Sequence, residues 1–235
     1  MLWFVAVLYK NKGEITMETK LKDLVIIGAG GFGREMILHV NEEANKHKLE
    51  WNLIGFVDEE QTGEVEGYKI LGNLETFLKM EEKPYFFIAI ANSEARERIA
   101  KQCKAAGFPA ATIYCGGMNA MLAPNAEIGE GCYIGRNCAI MNEVKIGPFC
   151  IIQGRSLFGH DTTVGEYTSI MTDASFGGET HVGPHCYFGL RCTVINRINI
   201  TDHCTFGACA CVVKDAAQSG TYVGVPAKLI KPLQK

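Results

Sequence analysis

The chain has 235 residues, a formal net charge of −3, 47% hydrophobic and 21% charged residues. That length suits two modest domains, and the near-balanced charge without a basic run argues against nucleic acid and anionic membrane as partners. Ten cysteines without a CxxC pair speak against a zinc ribbon and fit a reducing, cytoplasmic setting.

Met1 to Tyr9 is apolar but lacks a leading positive region and a small-residue cleavage site, and it is far short of the roughly 20 residues that span a bilayer. The codons of Lys12-Gly13-Glu14 can spell a bacterial ribosome-binding site, with Met17 shortly after. Residues 1–16 are therefore read as a non-native or disordered leader.

Leu24 to Ile27 is an apolar run, followed at once by Gly28-Ala29-Gly30-Gly31-Phe32-Gly33 and a helical stretch from Arg34 to His47. The G-x-G-x-x-G pattern after a strand and before a helix is the setting in which backbone amides hold a diphosphate. Glycines that merely allow close helix–strand packing are the other reading. A second strand, Leu53 to Val57, ends in Asp58, about where an acidic residue meets a ribose. An amphipathic segment (Leu74 to Met80), a buried strand (Phe86 to Ile90), a helix (Ser93 to Ala106) and a last strand (Ala111 to Tyr114) follow. This β-α-β-α-β-α-β alternation predicts a small parallel sheet flanked by helices. About 100 residues make only one mononucleotide-binding half, so a nucleotide-linked ligand is expected rather than a dinucleotide. Asn92 lies where strand ends line a crevice, and equally where it can cap the Ser93 helix.

From Leu122 to Val212 every sixth residue is large and apolar, sixteen in a row, until Gln218 breaks the pattern on one side and Gly116 on the other. Two positions earlier the residue is small (Cys132, Cys138, Cys150, Ser156, Thr162 and onward), with Val144 and Ile198 as exceptions. Side chains two apart on a strand face the same way, so each hexapeptide reads as a short strand with one large and one small inward residue. Six of the ten cysteines take the small inward position and act as small hydrophobes. A glycine often follows the large residue, where a corner is expected to need positive φ. Three strands per coil would stack residues eighteen apart, such as Leu122, Ile140, Phe158, Phe176, Val194 and Val212.

His160-Asp161 sits at a corner just past the inward Phe158. A histidine with an adjoining carboxylate can serve as general base; a solvent-exposed turn histidine is the plainer reading. A zinc site would have to draw on His160, His181, His185 and His203.

With these motifs in order, the chain from Leu24 resembles the bacterial sugar O-/N-acyltransferases of the sialic acid O-acetyltransferase and UDP-amino-sugar N-acetyltransferase type. The stretches that carry the resemblance are Leu24 to Glu35, Ile54 to Asp58, Phe86 to Asn92, Gly159-His160-Asp161, the hexapeptide array and Tyr222 to Lys228. The resemblance implies an α/β, Rossmann-like half-domain (residues 17–115) followed by a left-handed parallel β-helix (116–235). It implies acetyl-CoA as co-substrate, no metal, a homotrimer, and direct transfer to an amino or hydroxyl group of a UDP-sugar or sialic-acid-type acceptor in surface-glycan biosynthesis. His160 would be the general base, oriented by Asp161, with the Gly178 amide holding the oxyanion. Ser169, Leu190, Ala208 and Lys228 (with Lys231) would meet coenzyme A between neighbouring β-helices. Gly30, Gly31, Phe32, Asp58, Glu59 and Asn92 would meet the nucleotide sugar. The chain departs from the family pattern at Ser169, where a second histidine is common, at Thr172-Asp173 in place of Pro-Gly, and at Gly159, where asparagine often precedes the base. The alternatives are a nucleotide-sugar-binding scaffold and a zinc-dependent β-helix enzyme.

Overall fold

The computed structural model describes residues 21–40, 51–115 and 120–233. The proposed leader, the Met17 start, Gly116 and the predicted α-helix beyond residue 40 lie outside them. The N-terminal half is a parallel sheet in the order β2 (Trp51–Val57), β1 (Lys22–Ile27), β5 (Tyr85–Ile88). A central strand buried on both faces needs a continuous apolar run, and Leu24 to Ile27 supply it. Leu24 and Ile26 face α1 (Gly31–Val40) through Met36 and Val40. Val25 and Ile27 face α2 (Leu74–Leu78) and α3 (Ser93–Ala105) through Phe77, Ile99 and Cys103. Between β2 and α2 the structure adds a short hairpin, β3 (Glu64–Val65) and β4 (Tyr68–Lys69).

The expected strand from Ala111 to Tyr114 is divided between two structures. The Ala111 amide still donates to Phe86 in the α/β sheet at 2.8 Å, whereas β6 (Ile113–Tyr114) pairs with Tyr133–Ile134 of the repeat region. The boundary drawn at residue 115 therefore falls after the first strand of the β-helix. Tyr133 and Ile151, which point outward from the repeats, are buried in the core of the α/β half.

The repeats form a three-sided prism of parallel strands. Face I holds Leu122, Ile140, Phe158, Phe176, Val194 and Val212, as the eighteen-residue spacing predicts. Face II holds Ile128, Ile146, Val164, Val182 and Ile200. Face III runs from β6 through Ile134, Ile152, Ile170, Phe188 and Phe206 to an antiparallel pair, Gly220–Val223 and Lys228–Pro232. Fourteen of the sixteen column residues are buried. Leu122 is exposed and Ile128 half-buried, since the first coil has none beneath it on those two faces. Inward hydroxyls are satisfied by carbonyls, as with Thr180 Oγ1 to Gly177 O at 2.8 Å.

The glycines after the column residues do not carry the positive φ expected of them. That conformation falls two residues later, on non-glycine residues at every sixth position from Asn137 to Cys209. Each αL residue costs roughly 1–2 kcal/mol for an L side chain, and interstrand hydrogen bonds offset it: the Asp161 amide donates to Asn142 O at 3.0 Å and the Glu179 amide to His160 O at 2.8 Å. The glycines serve close approach instead. A Cβ on Gly135 would lie 2.4 Å from the amide nitrogen of Gly154 on the next coil.

Candidate active site

After Leu157–Phe158 on face I the chain turns through Gly159, His160 and Asp161 onto face II at Thr163–Val164. Asp161 takes the αL position, φ 59°. This corner keeps both functional side chains out of the packed column, with His160 62% and Asp161 55% exposed. His160 Nδ1 lies 2.7 Å from Asp161 Oδ2. A proton on Nδ1 shared with the carboxylate leaves the Nε2 lone pair free to accept another. The imidazole lies on the backbone of Gly178 one coil on, where a Cβ would come 2.8 Å from Nε2. The structure thus brings His160, Asp161 and Gly178 together. Sequence reasoning missed two neighbours, Glu179 and Arg197, whose hydrogen bonds of 3.1 Å link the next two coils at the same corner position. Their positions one and two coils of eighteen residues beyond Asp161 were the available signal.

The predicted nucleotide contacts converge at the C-terminal ends of β2, β1 and β5, but several have local tasks. Asp58 Oδ2 accepts from the Ala29 amide at 2.8 Å, and Oδ1 accepts from the Glu60 and Gln61 amides at 3.0 Å each. Burial works against its ionisation, yet these amides hold the carboxyl below its usual range. Asp58 therefore braces the glycine turn. Glu59 accepts from the Leu74 amide at 3.1 Å, and Asn92 Oδ1 caps α3 through the Ala95 amide at 2.7 Å. The half-buried Phe32 ring packs edge-on against Phe87 and Tyr133. The glycines divide in role. A Cβ on Gly33 would strike the Gly28 carbonyl, which is the packing reading, whereas nothing lies within 4 Å of a Cβ on Gly30 or Gly31. Those two border open space at the start of α1, where amides can meet an anion.

The predicted donor residues are scattered within one chain. Ser169 is 2% exposed and its Oγ accepts from Arg96 Nη2 at 3.0 Å, inside the seam between α3 and face III. Arg96 is itself buried. It donates to the carbonyls of Ile90 (2.7 Å), Ala91 (3.1 Å), Phe149 (2.9 Å) and Tyr167, which ties the β5 strand end to the prism. Burial pulls its pKa down to about 10, so it stays cationic at neutral pH. Leu190 and Ala208 are exposed on the corner between faces III and I, joined through the bond from the Cys209 amide to Leu190 O at 2.8 Å. Lys228 and Lys231 are exposed on the final strand.

The four candidate zinc histidines do not all gather: His185 and His203 meet, while His160 and His181 lie elsewhere. His181 projects from face II beside Thr163 at 2.9 Å. His185 and His203 stack in parallel, ring centroids 4.7 Å apart, at the corner between faces II and III, 3.4 Å from Glu97 and Glu94 of α3 respectively. Donor atoms of Glu94, His185 and His203 lie within 4.8 Å of one another. Parallel rings, however, send their in-plane lone pairs side by side, and a tetrahedral zinc needs them to meet.

Residues 23–103 match the PglD N-terminal domain and residues 125–160 match the bacterial transferase hexapeptide repeat. GDP-perosamine N-acetyltransferase of Escherichia coli is 31% identical over 123 residues, 47% of this chain and 55% of that protein; the match thus spans about half the length of the curated relative. A variant of perosamine N-acetyltransferase from Caulobacter crescentus, solved with CoA and GDP-perosamine, superposes with a TM-score of 0.79 at 25% identity over 90% of this chain and 98% of that one. WeeI from Acinetobacter baumannii gives a TM-score of 0.76 at 25% identity over 88% and 99%. The acetyltransferase domain of PglB from Neisseria gonorrhoeae, solved with acetyl coenzyme A, shares the fold at a TM-score of 0.80 and 23% identity over 90% and 100%. Both halves match in chain order: a stretch like the PglD N-terminal domain is followed by bacterial transferase hexapeptide repeats, the order and fold of these solved acetyltransferases.

Proposed function

We propose that the protein transfers the acetyl group of acetyl-CoA to the amino group of a nucleotide-linked sugar, with His160 as general base. The observation that carries this reading is the His160 ring, held at Nδ1 by Asp161 and laid on Gly178, with an exposed corner before it. The amino acceptor draws support from the relatives, which are named as N-acetyltransferases or were solved with GDP-perosamine. Three carboxylates on successive coils, Glu143, Asp161 and Glu179, also favour a cationic ammonium over a neutral hydroxyl at this corner.

The acceptor nitrogen, as free amine, attacks the thioester carbonyl carbon and loses a proton to His160 Nε2. The Gly178 amide faces the developing oxyanion. Collapse breaks the C–S bond, and the imidazolium returns the proton to the departing thiolate. Binding both substrates at once removes most of the entropy cost of their encounter.

The same reading requires a trimer. In one chain the α/β crevice is packed on face III and on the corner between faces II and III, while His160 occupies the opposite corner. Face I presents an uncharged column outward, Met121, Ala139, Leu157, Ser175, Thr193 and Cys211, with Met121 and Leu157 exposed. Turning face I to a threefold axis sets the His160 corner of each subunit beside the Leu190–Ala208 corner of the next. That arrangement lets coenzyme A lie between subunits and brings a neighbouring crevice to the base. We place the reaction in the cytoplasm, in surface-glycan biosynthesis; the ten free thiols accord with a reducing compartment.

The test is thiol release from acetyl-CoA with GDP- and UDP-linked amino sugars, their hydroxyl counterparts and sialic acid. The amino sugars should turn over, and His160→Ala should lower kcat by about 10²–10⁴-fold with the trimer intact. Turnover of hydroxyl acceptors alone, or full activity in His160→Ala, would refute the reading.

A further inference from the structure

The outward residues of face III change their surroundings coil by coil. In register they are Tyr133, Ile151, Ser169, Tyr187 and Thr205. The Tyr133 ring meets that of Phe87 on β5, centroids 6.4 Å apart, and Ile151 shares the buried cluster of Ala29 and Ala89. Ser169 is held by Arg96 Nη2, while Nη1 of the same guanidinium donates to the carbonyls of Ile90 and Ala91 at 2.7 and 3.1 Å. The end of β5 thus climbs the prism toward its C-terminal coils. α3 then returns along the same side. Its Glu94 lies by His203, Glu97 by His185 one coil lower, and Lys104 by Glu130 lower still.

The α/β half therefore ends over Ser169. Tyr187 follows on the adjacent strand, about 4.8 Å farther along the prism. It is the first of the column to emerge: it is 37% exposed, and its hydroxyl has no partner among the described residues.

This place lies between two parts of the site. On one side are the strand ends and the Gly30–Gly31 turn, which borders open space. On the other, three residues along the chain, is the exposed Leu190 at the corner between faces III and I. The trimer proposed above sets a neighbour's His160 beside that corner. A sugar carried on a diphosphate at the glycine turn crosses face III to reach that base, and Tyr187 is the first uncovered side chain on the way. A phenol ring offers a flat apolar face with a polar tip. That suits a pyranose, whose C–H bonds line its faces and whose polar groups line its rim.

We propose that Tyr187 is a specificity-determining contact for the sugar of the nucleotide-linked acceptor, its ring lying under the pyranose where that sugar leaves the crevice for the base. The substrate class rests on the nucleotide-sugar reading given above. The contact itself is read by binding, without turnover.

Calorimetric titration of the intact protein with GDP and UDP, and with GDP- and UDP-linked amino sugars, tests it. Tyr187→Ala should weaken the sugar-linked form by about 5–30-fold and leave the free nucleoside diphosphate within about twofold. Tyr187→Phe should stay within about threefold of the wild type for both, because the ring supplies the contact. Retained affinity for the free diphosphate reports an intact crevice in either variant. An unchanged affinity for the sugar-linked forms in Tyr187→Ala, or an equal loss with and without the sugar, would overturn the contact. So would a wild type that binds no sugar-linked form. If binding follows the expected pattern but no thiol is released from acetyl-CoA, the contact stands and the acetyltransferase reading fails. If thiol is released and Tyr187→Ala alters neither affinity nor KM for the amino sugar, that reading stands and the contact fails.

Discussion

His39 shows how one side chain can report on its surroundings. It ends α1 with Nδ1 2.7 Å from the Cys115 thiol and its ring 5.4 Å from that of Tyr133. Burial, with a smaller contribution from Arg136, lowers its pKa from 6.5 to about 4. The folded protein thus holds a neutral imidazole where the unfolded chain binds a proton. Stability should be complete above pH 6.5, fall as the pH drops from 6.5 to about 4, and level off below. With partial exposure discounted, the loss is about 1–2 kcal/mol. Thermal midpoints between pH 7.5 and 4 should decline less steeply in His39→Gln than in the wild type; parallel curves would contradict the assignment. The neighbouring site residues show the limits of residue-level reading. His160 and Asp161 were legible because chemistry depends on residue type and adjacency. Asp58 and Glu59 have side-chain oxygens that accept from backbone amides, partners no residue type announces, whereas the capping role of Asn92 was one of its two readings.

The hexapeptide is an element in which glycine is needed for space. The period of six identified the inward residues correctly, because side-chain alternation follows from strand geometry alone. It misplaced the turn conformation: the αL residue was invisible because it can be Asn, Glu, Phe, Arg, Asp, Tyr or His. Gly135→Ala should lower stability by about 2 kcal/mol or more, since neither backbone at the 2.4 Å contact can retreat without breaking the ladder. Gly31→Ala is the opposite case. No atom lies within 4 Å of its Cβ, so the thermal midpoint should hold while the KM for the nucleotide sugar rises. A rise in KM without loss of stability would separate a ligand-facing glycine from a packing one; an unchanged KM would assign Gly31 no contact.

Across the whole molecule, the question is which parts can meet. Arg96 fastens the α/β half to the prism from within, with Phe86, Phe149, Tyr167, His185 and His203 stacked along the same seam. The crevice is thereby fixed on the side of the prism away from its own His160. In the trimer proposed above, His160→Ala subunits mixed with Gly31→Arg subunits should regain activity that neither variant has alone, because an intact base then faces an intact crevice on another chain. Mixed trimers as inactive as the homotrimers would place base and crevice in one subunit. At this scale Ser169 lies on face III under α3, with its hydroxyl held by Arg96.

The sequence by itself determined the two-part architecture, the inward column of the repeats, the buried cysteines and the His160–Asp161 pair. Each rests on local periodicity or on neighbours in the chain. Only the tertiary structure decided that Gly178 underlies the imidazole, that β6 belongs to the prism, that Ser169 is sealed by Arg96 and that Arg197 answers Glu179. These are contacts between residues 18 to 73 positions apart, set by how coils stack and how one half docks on the other. Such contacts depend on shape and burial at both ends, and neither end carries a mark of the other in its own neighbourhood.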